Sequence, residues 1–480
     1  MSVKQQATTS VFWSAVERFS VQGIQFLLSI IIARLLLPTD YGLIAMLSIF
    51  MAIAQTFIDS GFANALIQKK DRTEVDYSTV FYFNIVISAI IYLLLYAAAP
   101  SIAGFYNEDA LVSITRVVGI TLIVNSFGIV QQAKMTVNLD FKRLAIASLL
   151  SVIISGIVGV TLAYMDFGAW ALVYQSLLNN LLRVIFVWIF SGWKPMLCFS
   201  KESFKGLFSF GSKLLASSLL HTIYTNLYTL IIGKKFSAGD LGFYNRAFTL
   251  AQFPSTNLTN VIVRAVYPIQ CRLQDDAEQL NSIFLKYLRM ACFLIFPVMI
   301  GFCALAEPLV RLLLTDKWLP AVPLLQIMCI AFMWDPIMKI NHNMLNVKGR
   351  SDYFLYAEIL KKIIAFTILF STVPYGVKIM CIGLILYAMA DMLIISFYVW
   401  KVTRISLSTQ MKVLLPVILF SFSLGGVMYA CTLLPFPPIG MVLIGGCLGG
   451  IYYIGGAYCL KLKEISMLYS VIHGFWNRKG

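Results

Sequence analysis

The chain has 480 residues, 59% of them hydrophobic and only 12% charged, with a formal net charge of +15 at pH 7. Apolar runs of about 20 residues recur along its length, which makes a bilayer its solvent and excludes a water-soluble globular domain. Its nine cysteines are scattered without a C-x-x-C pair or metal-ligand spacing, so they read as small apolar residues and not as a disulfide framework or a metal site.

Windows of about 20 residues predict about fourteen spans. In chain order they run approximately 11–37, 41–64, 78–100, 110–134, 144–165, 167–192, 207–233, 240–268, 283–307, 321–346, 353–375, 377–400, 411–433 and 438–460. Glu17 and Arg18 interrupt the first span, which continues past the length of a signal-peptide core, so it is a retained helix. An even number of spans places both termini on one side. The inner connections would carry most of the Lys and Arg, including Lys69, Lys70, Arg72, Lys142, Arg143, Lys201, Lys205 and Lys401, against about five outside, Lys234, Lys235, Arg311, Lys317 and Lys378. Both termini are therefore expected in the cytoplasm. The positive charge is explained by topology and calls for no nucleic acid. Connections are short, the longest expected at 269–282 and 308–320, and no catalytic domain fits within them. Trp193, Trp318 and Trp400 fall near span ends, where interface anchors belong.

Ionisable groups at membrane depth are costly and normally face a cavity or a partner. Here they are Glu17, Arg18, Asp59, Arg116 and Arg183 in the first half, then Lys213, His221, Arg246, Arg264, Asp335, Lys339, His342, Glu358, Lys361, Lys362 and Asp391. In the seventh span, Lys213, Ser217, His221, Tyr224, Thr225 and Tyr228 recur at three- or four-residue intervals and form one polar helical stripe. Such a stripe suits a water-filled lumen, with hydrogen bonds between packed helices as the alternative. The eighth span carries Asn245, Arg246, Gln252, Pro254, Ser255, Asn257 and Asn260 and cannot face lipid all round. Pro254, Pro297 and Pro336 lie inside spans, where proline kinks a helix. Asp335 and Asp391 fall near the middle of their spans and suit proton or cation coupling; neutralisation by Lys361 or Lys362 is the competing reading.

The stretch from Ile31 to Gly42 returns without a gap 200 positions later, from Ile231 to Gly242, with Asp40 opposite Asp240 and Thr56 opposite Thr256. This register is that of a duplicated membrane bundle, the usual architecture of a transporter. The polar content is not duplicated. Glu17 and Arg18 stand opposite Ser217 and Ser218, while Lys213 and His221 stand opposite Trp13 and Val21.

Several strings carry a family resemblance: Phe12-Trp13-Ser14-Ala15 with Glu17-Arg18-Phe19, Ala33-Arg34-Leu35-Leu36 with Asp40-Tyr41-Gly42, and Asp59 to Gln68. Leu241-Gly242-Phe243-Tyr244-Asn245-Arg246, Tyr267-Pro268 and Lys317-Trp318 continue it. Over most of its length the chain resembles the oligosaccharide flippases of the multidrug/oligosaccharidyl-lipid/polysaccharide superfamily, in particular the polysaccharide transporters related to the colanic-acid exporter. The resemblance implies an all-α multi-pass membrane protein of about fourteen transmembrane helices in two pseudo-symmetric six-helix lobes, 1–206 and 207–400, with two added helices and a cytoplasmic tail in 401–480. It also implies alternating access across the inner membrane and an undecaprenyl-diphosphate-linked oligosaccharide as cargo, moved from the cytoplasmic to the periplasmic leaflet for surface polysaccharide synthesis.

Charge compensation of a diphosphate calls for Arg or Lys in the cavity, expected at Arg18, Lys213, Arg246, Lys361 and Lys362. His221, Tyr224, Asn226 and Asn257 would contact sugar hydroxyls, and Glu17, Asp335 and Asp391 are the candidates for coupling to H+ or Na+. No cofactor and no catalytic residue is expected; association with polymerase machinery is a possible partnership. An ion-coupled multidrug antiporter of the same superfamily and a membrane glycan polymerase are the alternatives. The first would need an anionic pocket in the first lobe, the second a large outside loop with reactive residues.

Overall fold

A computed structural model describes residues 3–59, 62–69, 71–459 and 464; the side chains of residues 3–12, 14–19, 64, 206, 209–211, 213 and 214 lie outside that description. The described residues are helical almost throughout and include no strand. The chain divides into two compact units, Met1–Gly242 and Phe243–Gly480.

The first unit contains α1 (Val3–Leu35), α2 (Pro38–Asp59), α3 (Phe62–Gln68), α4 (Glu74–Tyr106), α5 (Ala110–Val137), α6 (Phe141–Tyr164), α7 (Ala169–Ser191), α8 (Lys201–Lys235) and the first turn of α9 (Ala238–Arg272). Helices α4 and α5 pack together, α7 joins α5 to α6, α6 covers α1, and α2 lies along α8. The start of α4 shows why the chain turns there. Thr73 accepts from the Asp76 backbone N–H while the Asp76 carboxylate accepts from the Thr73 N–H at 2.8 Å, a reciprocal capping box. Inside, Phe62, Tyr77, Phe81 and Trp193 form a buried aromatic core.

The internal repeat has a direct physical meaning. Asp40 accepts from the Leu37 backbone N–H at 2.9 Å and caps α2; Asp240 accepts from the Ser237 N–H at 3.2 Å and caps α9. Two residues further on, Gly42 packs directly against the Ala238 carbonyl and Gly242 directly against the Pro38 carbonyl. A Cβ on either glycine would land on that carbonyl, so both positions need glycine for close approach.

The second unit holds the rest of α9, then α10 (Ala277–Ala304), α11 (Ala306–Leu314), a 3-10 segment (Asp316–Ala321), α12 (Val322–Phe332), α13 (Asp335–Val347), α14 (Ser351–Thr372), α15 (Val377–Thr403), α16 (Leu407–Thr432) and α17 (Pro438–Cys459). Here α10 packs on α16, α16 on α17, and α15 against α12, α13 and α14. Beyond α17, Glu464 is buried and pairs with Arg289 of α10.

Ten helical runs among the described residues are long and apolar enough to cross a membrane. Helices also cover the four other predicted spans, as α1, α8, α9 and α14. The expected long connections are absent as such. Only 273–276 separates α9 from α10, because both helices extend beyond their apolar parts, and 308–320 is mostly helical. The longest stretch between described helices is instead 192–200. The anchoring role expected for three tryptophans also needs correction. Trp193 and Trp318 are buried, Trp193 donating to Glu74 at 2.6 Å, and of the three only Trp400 presents its ring outward.

Candidate functional site

The tenth predicted span is two helices, not one. Pro336 has no N–H to give the Phe332 carbonyl, so the helix breaks at 333–334 and restarts with proline in the first turn of α13. The Ser255 hydroxyl of α9 lies 2.9 Å from that freed carbonyl and 3.2 Å from Asp335 Oδ2, and it shares its single proton between them. Lys339, one turn along α13, stands 3.4 Å from the same carboxylate.

Helix α13 is thereby a polar element inside a packed bundle, and Asn341, His342 and Asn343 each meet a partner on a different helix. Asn341 and Gln410 of α16 exchange amide hydrogen bonds at 2.9 and 3.1 Å, both fully buried. Asn343 donates to Gln270 of α9 at 2.8 Å. His342 meets α14, where Glu358, Lys361 and Lys362 share one face through i,i+3 and i,i+4 spacing.

Lys361 is the centre of the site. Its ammonium donates to Glu358 Oε1 at 2.6 Å and to His342 Nε2 at 2.8 Å, and it lies 3.3 and 3.4 Å from the two carboxylate oxygens of Asp391 on α15. The residue is 5% exposed, and Asp391 is 7% exposed. An isolated charge at this depth costs several kcal/mol, and the pairing is what makes the burial tolerable. Because Nε2 accepts, the imidazole proton resides on Nδ1, which is buried and meets no acceptor among the described residues. Asp391 Oδ1, although close to the ammonium, accepts no hydrogen bond from the described residues. Lys362 points along the rim, 3.8 Å from Glu358 Oε2 and about a third exposed.

Sequence reasoning thus finds Lys361, Lys362 and Asp391, and the fold brings them together with His342 and Glu358. Asp335 belongs to the neighbouring Ser255–Lys339 pair. Lys361, expected as a cavity cation or as the partner of a buried carboxylate, has its three protons facing Glu358, His342 and Asp391. Of the other expected residues, Arg246 is buried on α9 with its guanidinium 5.8 Å from the Trp318 ring centre. Asn257 donates to its own helix at the Phe253 carbonyl, 2.9 Å away, and Asn226 does the same to Thr222 at 2.9 Å. On α8, Thr222 faces α2 through a 3.2 Å hydroxyl contact with Thr56, which leaves His221 and Thr225 exposed and Tyr224 half-buried. The side chains of Glu17, Arg18 and Lys213 lie outside the described residues.

The residues missed as site members, His342 and Glu358, are visible in the sequence as ionisable groups at membrane depth. The overlooked signal is their spacing: Asp335, Lys339 and His342 recur along one face of α13, as Glu358, Lys361 and Lys362 do along α14. Nothing local, however, says that these two faces meet each other and Asp391.

Known proteins place the chain. The teichuronic acid biosynthesis protein TuaB of Bacillus subtilis (strain 168) is 27% identical over 357 residues, which is 74% of each chain. The lipopolysaccharide biosynthesis protein WzxC of Escherichia coli (strain K12) is 25% identical over 367 residues, 75% of this chain and 74% of its own. Among solved structures, the lipid II flippase MurJ shares the fold with a TM-score of 0.75 at 14% identity, over 93% of this chain and 99% of that one. Residues 31–323 match the sequence profile of a family described as polysaccharide biosynthesis protein, and the chain belongs to that family.

Proposed function

We propose that this protein is a flippase that moves undecaprenyl-diphosphate-linked oligosaccharide repeat units from the cytoplasmic to the periplasmic leaflet, for lipopolysaccharide, capsule or exopolysaccharide synthesis. The observation that carries this reading is a conjunction. The chain belongs to a family of polysaccharide biosynthesis, yet it is built of membrane-length helices whose described connections are no longer than 192–200. Short connections between membrane-length helices suit transport by the bundle itself, and no enzymatic role is assigned to it. The relatives named for teichuronic acid and lipopolysaccharide biosynthesis and the fold shared with a lipid II flippase support the same conclusion.

In this reading the protein sits in the bacterial inner membrane with both termini cytoplasmic, and lobes 1–206 and 207–400 alternate in access with the helices of 401–480 attached. Arg18, Lys213, Arg246 and Lys362 compensate the diphosphate, and His221, Tyr224, Asn226 and Asn257 contact the sugars. Glu17, Asp335 and Asp391 serve coupling to H+ or Na+, with Lys361 as the counter-ion of Asp391. Polysaccharide polymerase machinery is the partner that would take the product. The test is deletion of the gene. It should remove surface polysaccharide and leave undecaprenyl-linked repeat units on the cytoplasmic leaflet; an unchanged surface glycan without that accumulation would overturn the reading. Susceptibility to cationic drugs should stay unchanged, where an antiporter would lose efflux.

A further inference from the structure

We infer that the cluster around Lys361 is a monovalent-cation cage whose ion is supplied by the chain itself, and that the cage binds free potassium or ammonium once the tethered ammonium is removed. Three helices build it. Helix α14 contributes Glu358 Oε1 at 2.6 Å from the Lys361 nitrogen, α13 contributes His342 Nε2 at 2.8 Å, and α15 contributes both oxygens of Asp391 at 3.3 and 3.4 Å. Four acceptors converging on one buried nitrogen form a ligand shell for a single positive charge.

The shell is more than the ammonium uses. An ammonium has three protons, and four acceptor atoms surround it; among the described residues Asp391 Oδ1 is the one left without a hydrogen bond. A spherical cation has no such directional limit and would engage all four. Asp391 lies on a packed stretch of α15, beside the buried Met392, Ile394 and Ile395. The remaining charged groups nearby are Lys362 on α14 and the Asp335–Lys339 pair on α13, so removing Lys361 leaves the carboxylates of Glu358 and Asp391 facing one another with only Lys362 at the rim. A buried carboxylate, Asp391, and a half-buried one, Glu358, around a vacated space of ammonium size recruit a cation. Potassium and ammonium are close to each other in size and fit a shell spaced for –NH3+; sodium is smaller and reaches fewer of the four ligands.

The consequence for the native chain is that this cage is closed to free metal ions and ammonium, because its cation is covalently attached; coupling at Asp391 is then to H+, and Na+ coupling falls to Glu17 or Asp335. The experiment reads binding alone and does not depend on which cargo the protein carries. The full-length chain is purified in detergent, and its thermal midpoint is measured at fixed ionic strength while choline chloride is replaced by sodium, potassium or ammonium chloride. The wild-type midpoint should be the same in choline, potassium and ammonium chloride. Lys361→Ala should rise by about 2–4 °C in about 100 mM potassium or ammonium relative to choline, and less in sodium. Lys361→Met, whose side chain fills the same space without a charge, should show no salt preference. A Lys361→Ala midpoint indifferent to the cation overturns the inference, and so does a wild-type midpoint that rises with potassium as much as the variant does. Should Lys361→Ala fail to fold in choline, potassium or ammonium must recover monodisperse protein; aggregation in all four salts also overturns it.

Discussion

The α-carbon of Gly42 packs against the main-chain carbonyl of Ala238, and 200 positions away Gly242 makes the reciprocal contact with the carbonyl of Pro38. The internal repeat is thus also a spatial one, in which the equivalent turns of the two copies grip each other. A methyl group has no room at either position. Gly42→Ala and Gly242→Ala should each lower stability by about 1–3 kcal/mol, seen as a lower thermal midpoint in detergent. Gly104→Ala, at a helical position with open space around it, should leave the midpoint unchanged or raise it slightly.

Thr56 of α2 and Thr222 of α8 stand with their hydroxyl oxygens 3.2 Å apart. These helices belong to different halves of the repeat, so the alternating access proposed above has to change their contact. A Thr56→Cys/Thr222→Cys pair should crosslink on mild oxidation and arrest polysaccharide export, with export returning on reduction. Either single cysteine should export normally, and full export by the crosslinked pair would show that this contact stays closed throughout the cycle.

Removing only the cation from a buried charge cluster leaves its carboxylates uncompensated. Lys361→Met should therefore destabilise the chain by about 3–5 kcal/mol, measured by thermal or denaturant unfolding. The double variant Lys361→Met/Asp391→Asn should recover part of that loss, because one unpaired charge goes with its partner. Additive losses in the double variant would show that the two residues do not act on each other.

Trp193 and Glu74 share a 2.6 Å hydrogen bond but differ in burial, the indole packed beside Tyr77 and Phe81 and the carboxylate half exposed between Trp193 and Lys134. Trp193→Ala should cost about 3–5 kcal/mol, as a buried aromatic truncation does. Glu74→Gln should cost at most about 1 kcal/mol, because an exposed ion pair contributes little. Equal effects on the thermal midpoint would mean that the polar link, and not the packing, holds this end of the first unit.

The helices were legible because the length of an apolar run is a local property. The predicted span 110–134 is α5 (Ala110–Val137), and 144–165 is α6 (Phe141–Tyr164). The break in the tenth span was less so. Pro336 announces a disturbance, but whether the helix bends or restarts depends on a partner for the freed Phe332 carbonyl, and that partner, Ser255, is 77 residues away. Trp318 misled for the same reason: its place at a span end resembles an interface anchor, while Phe243 and Arg246 from α9 cover its ring.

By itself, the sequence determined the solvent, the helices, the duplication and the inventory of charges that need a reason to be buried, since each follows from composition, run length or register along the chain. Only the tertiary structure decided which of those charges meet. Lys361, Glu358, His342 and Asp391 come from three helices, and the energy that selects their pairing is the cost of leaving any one of them alone at membrane depth, a quantity that exists only once the helices have packed.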